Sequence, residues 1–122
     1  MNRAKPESLV TTDTLDSVAA RTQMLPDLLK IDVEGVELAA LSGAQQLLQA
    51  KKPTIFIEIT ETNFDSAADL LGSFGYKMLD AITLRKATPG SFNVVALHPS
   101  RSEIEQILSI FTVTQKDRHW TV

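Results

Sequence analysis

Two short apolar runs dominate the hydrophobic pattern of this chain. Residues 28–33 and 54–59 each combine aliphatic and β-branched side chains, with apolar residues at both even and odd positions. Runs of this length and composition are typical of strands that are buried on both faces. Between them, apolar residues recur at the spacing of an amphipathic helix: Leu38, Leu41, Ala44 and Leu48. The pattern therefore predicts a strand, a helix and a second, parallel strand.

The flanking segments predict further strands and helices around this unit. In chain order these are a strand at 9–12, a helix at 13–20, a helix that starts at a cap on Asn63 or Asp65 and ends before Gly75, strands at 76–80 and 92–97, and a helix over 102–111. Because the connection between the last two strands is short, we expect them to run antiparallel. From residue 28 onward the order is β-α-β-α-β-β-α. It predicts an α/β domain with a mixed sheet and a C-terminal antiparallel strand pair.

Length and composition indicate one domain of ordinary globular character. The chain has 122 residues, of which 43% are hydrophobic and 22% are charged, enough for one core. We expect residues 1–8 to be a disordered terminus, residues 9–111 to form the core and residues 112–122 to be a polar tail. No apolar run approaches the roughly 20 residues that span a bilayer, and the N-terminus does not resemble a secretory signal. We therefore expect a cytoplasmic protein.

Charge, cysteine and glycine content narrow the classes of function. Acidic residues outnumber basic ones by 15 to 12, and no basic cluster exceeds the pair Lys51-Lys52. This balance argues against a nucleic-acid-binding face. The chain has no cysteine, so disulfides and thiolate metal sites are excluded. Its five glycines form neither a G-x-G-x-x-G loop nor a P-loop, so no phosphate cradle is visible in the sequence.

Carboxylates lie at or near the ends of both predicted strands. Asp32 and Glu34 come at the end of the first strand, and Glu58 lies in the second. Open α/β sheets bind ligands at the carboxyl ends of their strands, where neighbouring strands lie about 4.8 Å apart. The three acids are therefore candidates to bind a divalent cation, to hold ribose hydroxyls or to act as a general base.

A purely structural explanation of these residues stands beside the functional one. Glu34 precedes a helix, where the helix dipole favours an anion. Asp32 lies inside an apolar strand, where a carboxylate needs a partner, and Lys30 on the same strand face would supply one. His98 and His119 stand apart from any second metal ligand or nucleophile, and we expect both to be exposed loop residues.

Four segments occur in an order and spacing that resemble a known family. They are residues 14–16 (TLD), 26–37 (PDLLKIDVEGVE), 41–44 (LSGA) and 53–59 (PTIFIEI). Together they resemble the FkbM-type methyltransferases, which are S-adenosylmethionine-dependent O-methyltransferases with a class I Rossmann-like fold. The resemblance implies that the strands at 28–33 and 54–59 are the fourth and fifth of a seven-stranded sheet, and that those at 76–80 and 92–97 are its last two.

The resemblance also implies roles for the acids. Asp32 and Glu58 fall where related metal-dependent O-methyltransferases hold a cation. We take both as candidate catalytic residues, assign no metal ligand, and take Glu34 as the candidate cofactor contact.

One part of the family pattern has no counterpart here. In the family, the glycine-rich cofactor loop and a ribose-binding acid lie upstream of the TLD segment, whereas only a handful of residues precede Thr14. The resemblance therefore implies the C-terminal half of such an enzyme. We do not expect this half to bind S-adenosylmethionine or to be catalytic by itself.

The absence of the first three strands predicts a partner. Residues 28–33 would then form an exposed apolar edge, which invites pairing with another chain. We expect either that residues 9–12 cover this edge, or that the protein forms a homodimer or binds a partner chain across it.

Two other functions stay open alongside the methyltransferase reading. The first is a non-catalytic α/β module for dimerisation or interaction. The second is a receiver-like signalling domain, because residues 26–32 are similar to a strand that presents a phosphoacceptor aspartate. Against the receiver hypothesis, no acidic pair follows an early strand and no lysine ends a late one.

Overall fold

The computed structural model describes residues 9–101 together with Gln106 and Ser109. This part of the chain contains four α-helices and four strands. In order they are α1 (Leu15–Thr22), β1 (Leu28–Ile31), α2 (Glu37–Ser42), α3 (Gln45–Ala50), β2 (Thr54–Glu58), α4 (Phe64–Ser73), β3 (Lys77–Asp80) and β4 (Asn93–Leu97), with a 3₁₀ turn at Glu61–Asn63 before α4. None of the helices within the described residues is long and apolar enough to cross a membrane.

The four strands form one mixed sheet in the order β1-β2-β4-β3. β1 and β2 are parallel, as the two apolar runs predicted. β4 runs antiparallel to both β2 and β3, which confirms the predicted antiparallel arrangement of the last two strands. The fold is therefore α/β with a mixed sheet.

One face of the sheet carries the core. Ile55 and Ile57 of β2, together with Val94 and Ala96 of β4, are almost completely buried. Side chains alternate across a strand, so these four lie on one face of the sheet. There they belong to one cluster with apolar helix residues, among them Leu41, Leu48 and Leu71. Full burial of each valine, leucine or isoleucine side chain in this cluster contributes about 1.5–3 kcal/mol to stability.

The segment predicted as one helix, residues 36–50, is two helices separated at Gly43. The carbonyl of Gly43 accepts a hydrogen bond from the N–H of Asp16 at 2.9 Å. The carboxylate of Asp16 in turn accepts hydrogen bonds from the N–H groups of Gln46 (2.9 Å) and Leu47 (3.0 Å). These are first-turn donors of α3, which lack partners within their own helix. Asp16 of α1 therefore caps α3 from a distant part of the chain.

The prediction of a strand at residues 9–12 is wrong. These residues form no strand, and Leu9 is fully exposed. β-Branched residues favour a strand where neighbouring strands and buried surface stabilise it, and this segment pairs with no strand of the sheet. Residues 9–12 therefore do not extend the sheet at the edge of β1.

Other expectations are met in part or lie outside the described residues. β1 ends at Ile31, two residues before the predicted end, so Asp32 follows the strand. Gln106 and Ser109 are helical, in agreement with the helix predicted over 102–111. The remainder of that helix, the terminus at 1–8, and the tail at 112–122 with His119 lie outside the described residues. The division of the chain at these points stays a prediction.

Candidate functional site

The carboxyl ends of β1 and β2 open onto a cleft of about 320 Å³. Its walls come from the ends of these strands, from the start of β4 and from the loop after β3. We call it the strand-end cleft; the residues that define it are Lys30, Asp32, Glu58, Ala81, Ile82 and Asn93. Open α/β sheets bind their ligands at this edge.

Asp32 and Glu58 both line the strand-end cleft. In the register of β1 and β2, Ile31 faces Ile57. One residue further along, Asp32 comes opposite Glu58, and Asp32 is exposed whereas Glu58 is half-buried. The structure therefore brings the two candidate catalytic carboxylates to one edge of the sheet, and their catalytic role stays a prediction.

Glu34 lies apart from these two acids. It occupies the turn between β1 and α2, is exposed, and does not line the strand-end cleft. Its backbone is left-handed, with φ 56°, and φ of the following Gly35 is 96°. A glutamate in this conformation is strained, so the turn has to be held by contacts from elsewhere.

Glu37 supplies those contacts. Its side chain is only 6% exposed, and its carboxylate accepts hydrogen bonds from the N–H groups of Val33 and Gly35, each at 3.1 Å. Burial by itself raises the pKa of the Glu37 carboxyl, but backbone N–H donors outweigh burial and hold this pKa below its ordinary value. Glu37 lies at the end of the segment 26–37 that resembles the FkbM-type methyltransferases, and no role was predicted for it. The available signal was an acid at the start of a helix, facing the N–H groups of the turn before it.

Within the described residues, no lysine forms an ion pair with Asp32 or Glu58 of the strand-end cleft. None of the ion pairs within the described residues joins Lys30 to Asp32, so the structural explanation proposed for Asp32 is not realised. The described residues also assemble no group of three or more His, Cys, Asp or Glu side chains that could hold a metal ion. Asp32 and Glu58 are therefore suited to accept hydrogen bonds or a proton from hydroxyl groups of a ligand.

Two further residues of the cleft escaped the sequence analysis. Asn93 faces Glu58 across the β2–β4 pair, and Ile82, which is 63% exposed, lies in the loop after β3. Asp80 holds this loop, because its Oδ1 accepts hydrogen bonds from the N–H groups of Thr83 (3.1 Å) and Ile82 (2.8 Å). These two bonds, that of Thr83 first, hold the pKa of the Asp80 carboxyl below its ordinary value. No sequence signal marks Asn93, since it reaches the cleft only because β4 lies beside β2.

His98 takes no part in the strand-end cleft. It is half-buried rather than exposed; its Nδ1 accepts a hydrogen bond from the N–H of Ser100 (3.1 Å), so Nε2 donates to the carbonyl of Phe74 (3.0 Å). The imidazole meets the ring of Tyr76 edge-on at 5.3 Å between centroids. Burial raises the pKa of Tyr76, whose hydroxyl donates to the carbonyl of Pro53 at 2.6 Å. His98 is therefore a packing residue.

Comparison with known protein families places most of the described chain in a family. The family described as the Methyltransferase FkbM domain matches residues 4–78, which is more than half of the chain. The matched range runs from before α1 into β3 and includes Asp32, Glu34 and Glu58. No curated protein and no solved structure matches the chain significantly.

Proposed function

The chain belongs to the FkbM methyltransferase family, and we propose that it contributes the acceptor side of an O-methyltransferase site, at the strand-end cleft. The observation that supports this proposal is that Asp32 and Glu58 line one cleft at the carboxyl edge of parallel strands. The fold is compatible with part of a class I methyltransferase sheet, with β1 and β2 as its fourth and fifth strands.

In this proposal the carboxylates act on the acceptor hydroxyl. Asp32 and Glu58 hold the hydroxyl by hydrogen bonds, and one of them takes its proton as general base. Asn93, opposite Glu58, offers both an amide donor and an amide acceptor to the same ligand. The exposed apolar side chain of Ile82 closes one side of the cleft.

The methyl donor proposed for the family is S-adenosylmethionine, and the described residues do not form a cradle for it. No glycine-rich loop exists in the sequence, and Glu34, the candidate cofactor contact, lies on an exposed turn outside the cleft. We therefore propose that the cofactor is held by residues beyond these 122, with Glu34 at the boundary between the two parts. The chain by itself is then not catalytic.

The test is complementation. The cofactor-binding half of a full-length family member, supplied in trans, is expected to yield methyl transfer from S-adenosylmethionine that neither part shows alone. Asp32→Asn and Glu58→Gln each lower the rate by about 10²–10⁴-fold if the residue serves as the base. Glu61→Gln, an exposed acid on the turn after β2, is the matched control and leaves the rate unchanged. Full activity of both Asp32→Asn and Glu58→Gln, in a complex that does transfer methyl groups, would contradict the proposal.

Within the described residues, no strand pairs with the outer side of β1, and this open edge favours a second candidate function. A strand with one unpaired side fits a non-catalytic module that keeps the sheet as an interaction surface. Calorimetry with S-adenosylmethionine, together with the complementation assay, separates the two candidate functions. A well-ordered homodimer that shows no heat of binding at millimolar S-adenosylmethionine and no methyl transfer on complementation supports the interaction module.

A further inference from the structure

β1 presents an open edge. Within the described part of the chain it pairs only with β2, and no other strand lies on its outer side. Leu28 is the register partner of Thr54, and the N–H of Thr54 donates to the carbonyl of Asp27. In a parallel pair this pattern directs the odd-numbered residues of β1 toward β2. The N–H and C=O groups of Leu28 and Lys30 therefore face outward, and those of Asp32 do so if the strand is continued.

Exposed apolar side chains lie at both ends of this edge. Met24, Leu25 and Leu28 come before or at the start of β1, and Val33 and Val36 come after its end; all five are more than 40% exposed. An open edge with apolar flanks is a template for another strand. An antiparallel partner with the same sequence would place the apolar residues at the start of one copy beside those at the end of the other.

We propose that β1 pairs with β1 of a second copy of this chain, antiparallel, about a two-fold axis that passes beside Ile31. In this register Ile31 faces its own copy, Lys30 faces Asp32 of the partner subunit, and Leu29 faces Val33 of the partner subunit. Over residues 29–33 the pairing yields two lysine–aspartate pairs on one face of the joined sheet and three apolar pairs on the other; beyond them, Leu28 comes opposite Glu34 of the partner subunit.

Symmetry and charge together select this register. A two-fold between neighbouring antiparallel strands requires one residue to face its own copy. If the two-fold axis passes beside Lys30, the lysines of the two copies face each other. If it passes beside Asp32, the two aspartates do. Like charges that lie directly opposite each other are destabilising. Centring on Leu29 places Lys30 against an apolar Leu28. Of these positions, centring on Ile31 pairs Lys30 with an opposite charge.

The backbone is prepared for the same register. The new hydrogen bonds would join the outward-facing N–H and C=O groups of Lys30 in one copy to those of Asp32 of the partner subunit. The N–H of Val33 is already bonded to the carboxylate of Glu37, and this register does not require it. The dimer therefore forms without breaking the contacts that hold the turn after β1.

This inference depends on the edge of β1, whereas the proposed function depends on the chemistry of the strand-end cleft, although Lys30 and Asp32 belong to both. A cofactor-holding segment that pairs with the same edge would displace the second copy. The two proposals can therefore fail independently. A chain that stays monomeric contradicts the β1–β1 dimer, and the absence of methyl transfer on complementation contradicts the proposed function.

Charge reversal tests the register. In the Lys30→Asp variant, an aspartate faces an aspartate in both pairs of residues 30 and 32 across the dimer. In the Asp32→Lys variant, a lysine faces a lysine in both pairs. Each variant therefore raises the dimer dissociation constant by about tenfold or more. The double variant with both reversals restores dimerisation. An equimolar mixture of the two single variants forms a heterodimer, because every pair then again has opposite charges. Sedimentation velocity over a concentration series measures all four samples. Lys77→Asp on β3 and Asp69→Lys on α4, both exposed, are matched controls that leave the association unchanged.

The mixing experiment separates a register effect from misfolding, since two misfolded variants do not rescue one another. Amide exchange supplies an independent readout: the N–H groups of Lys30 and Asp32 become protected as the protein concentration rises. A wild-type chain that stays monomeric at millimolar concentration overturns the proposal. So does a dimer that is insensitive to both single reversals.

Discussion

The buried carboxylate of Glu37 accepts a hydrogen bond from the backbone N–H of Gly35 at 3.1 Å. A second bond, from Val33 to the same carboxylate, closes the turn from its other end. Glu34 lies between these two residues with a left-handed backbone. Because Asp32 immediately precedes the turn, the backbone at the strand-end cleft depends on a side chain that does not line it.

Substitution of Glu37 is expected to destabilise the fold. Glu37→Gln removes the charge that three backbone contacts share and turns part of the side chain into a donor that faces other donors. Loss of charge-assisted bonds to a buried group costs about 1–3 kcal/mol in free energy of unfolding. Urea denaturation measures this loss. The neighbouring Glu34→Gln, at an exposed position, changes stability by less than about 0.5 kcal/mol; equal effects of the two substitutions would refute the role of Glu37.

The lowered pKa of Glu37 also predicts a dependence on pH. The unfolded chain ionises this carboxyl near pH 4.3, and the folded protein ionises it at lower pH. The unfolded state therefore binds more protons in this range, so the stabilisation is complete above about pH 4.3 and is lost as pH falls through the folded-state pKa. Melting temperatures of wild type and Glu37→Gln, measured from neutral pH into this acidic range, should converge at low pH. Parallel curves would contradict the prediction.

The cap that Asp16 provides for α3 is a second long-range contact open to test. Asp16→Ala leaves the N–H groups of Gln46 and Leu47 without their acceptor, and loss of an N-terminal cap costs about 0.5–2 kcal/mol. Chemical denaturation measures the cost. Asp69→Ala, an exposed acid within α4, is the control. A loss no larger than that of the control would show that solvent replaces the cap.

Two glycines in helical surroundings should respond to alanine in opposite ways. A Cβ on Gly43 would lie 3.0 Å from the Cβ of Thr14, so Gly43→Ala separates α1 from the α2–α3 junction and costs about 1–3 kcal/mol. A Cβ on Gly72, within α4, would meet no atom within 4 Å. Gly72→Ala therefore stabilises the helix by about 0.5–1 kcal/mol. Calorimetric melting of both variants decides the matter, and the same sign for both would contradict the packing argument.

The part of the fold that could be predicted is the part in which local pattern and burial agree. The two apolar runs contain β1 and β2, which are parallel as predicted; the expectation that both are buried on both faces is wrong for β1, an edge strand in which only Ile31 is buried. The juxtaposition of Asp32 and Glu58 followed from the same rule, because parallel neighbours end at the same edge. The strand predicted at 9–12 had only β-branched residues in its favour, and without a neighbouring strand it did not form.

The sequence by itself determined the helices and strands of the parallel unit, the edge that carries the acids, and membership of the FkbM family, because periodicity, strand polarity and motif spacing are properties of the linear chain. Only the tertiary structure decided that β4 lies beside β2 and brings Asn93 to Glu58, and that Asp16 caps α3. These features join residues that lie 30 or more positions apart in the chain. No local pattern encodes them, since they arise when helices and strands compete for the same buried surface and the same backbone partners.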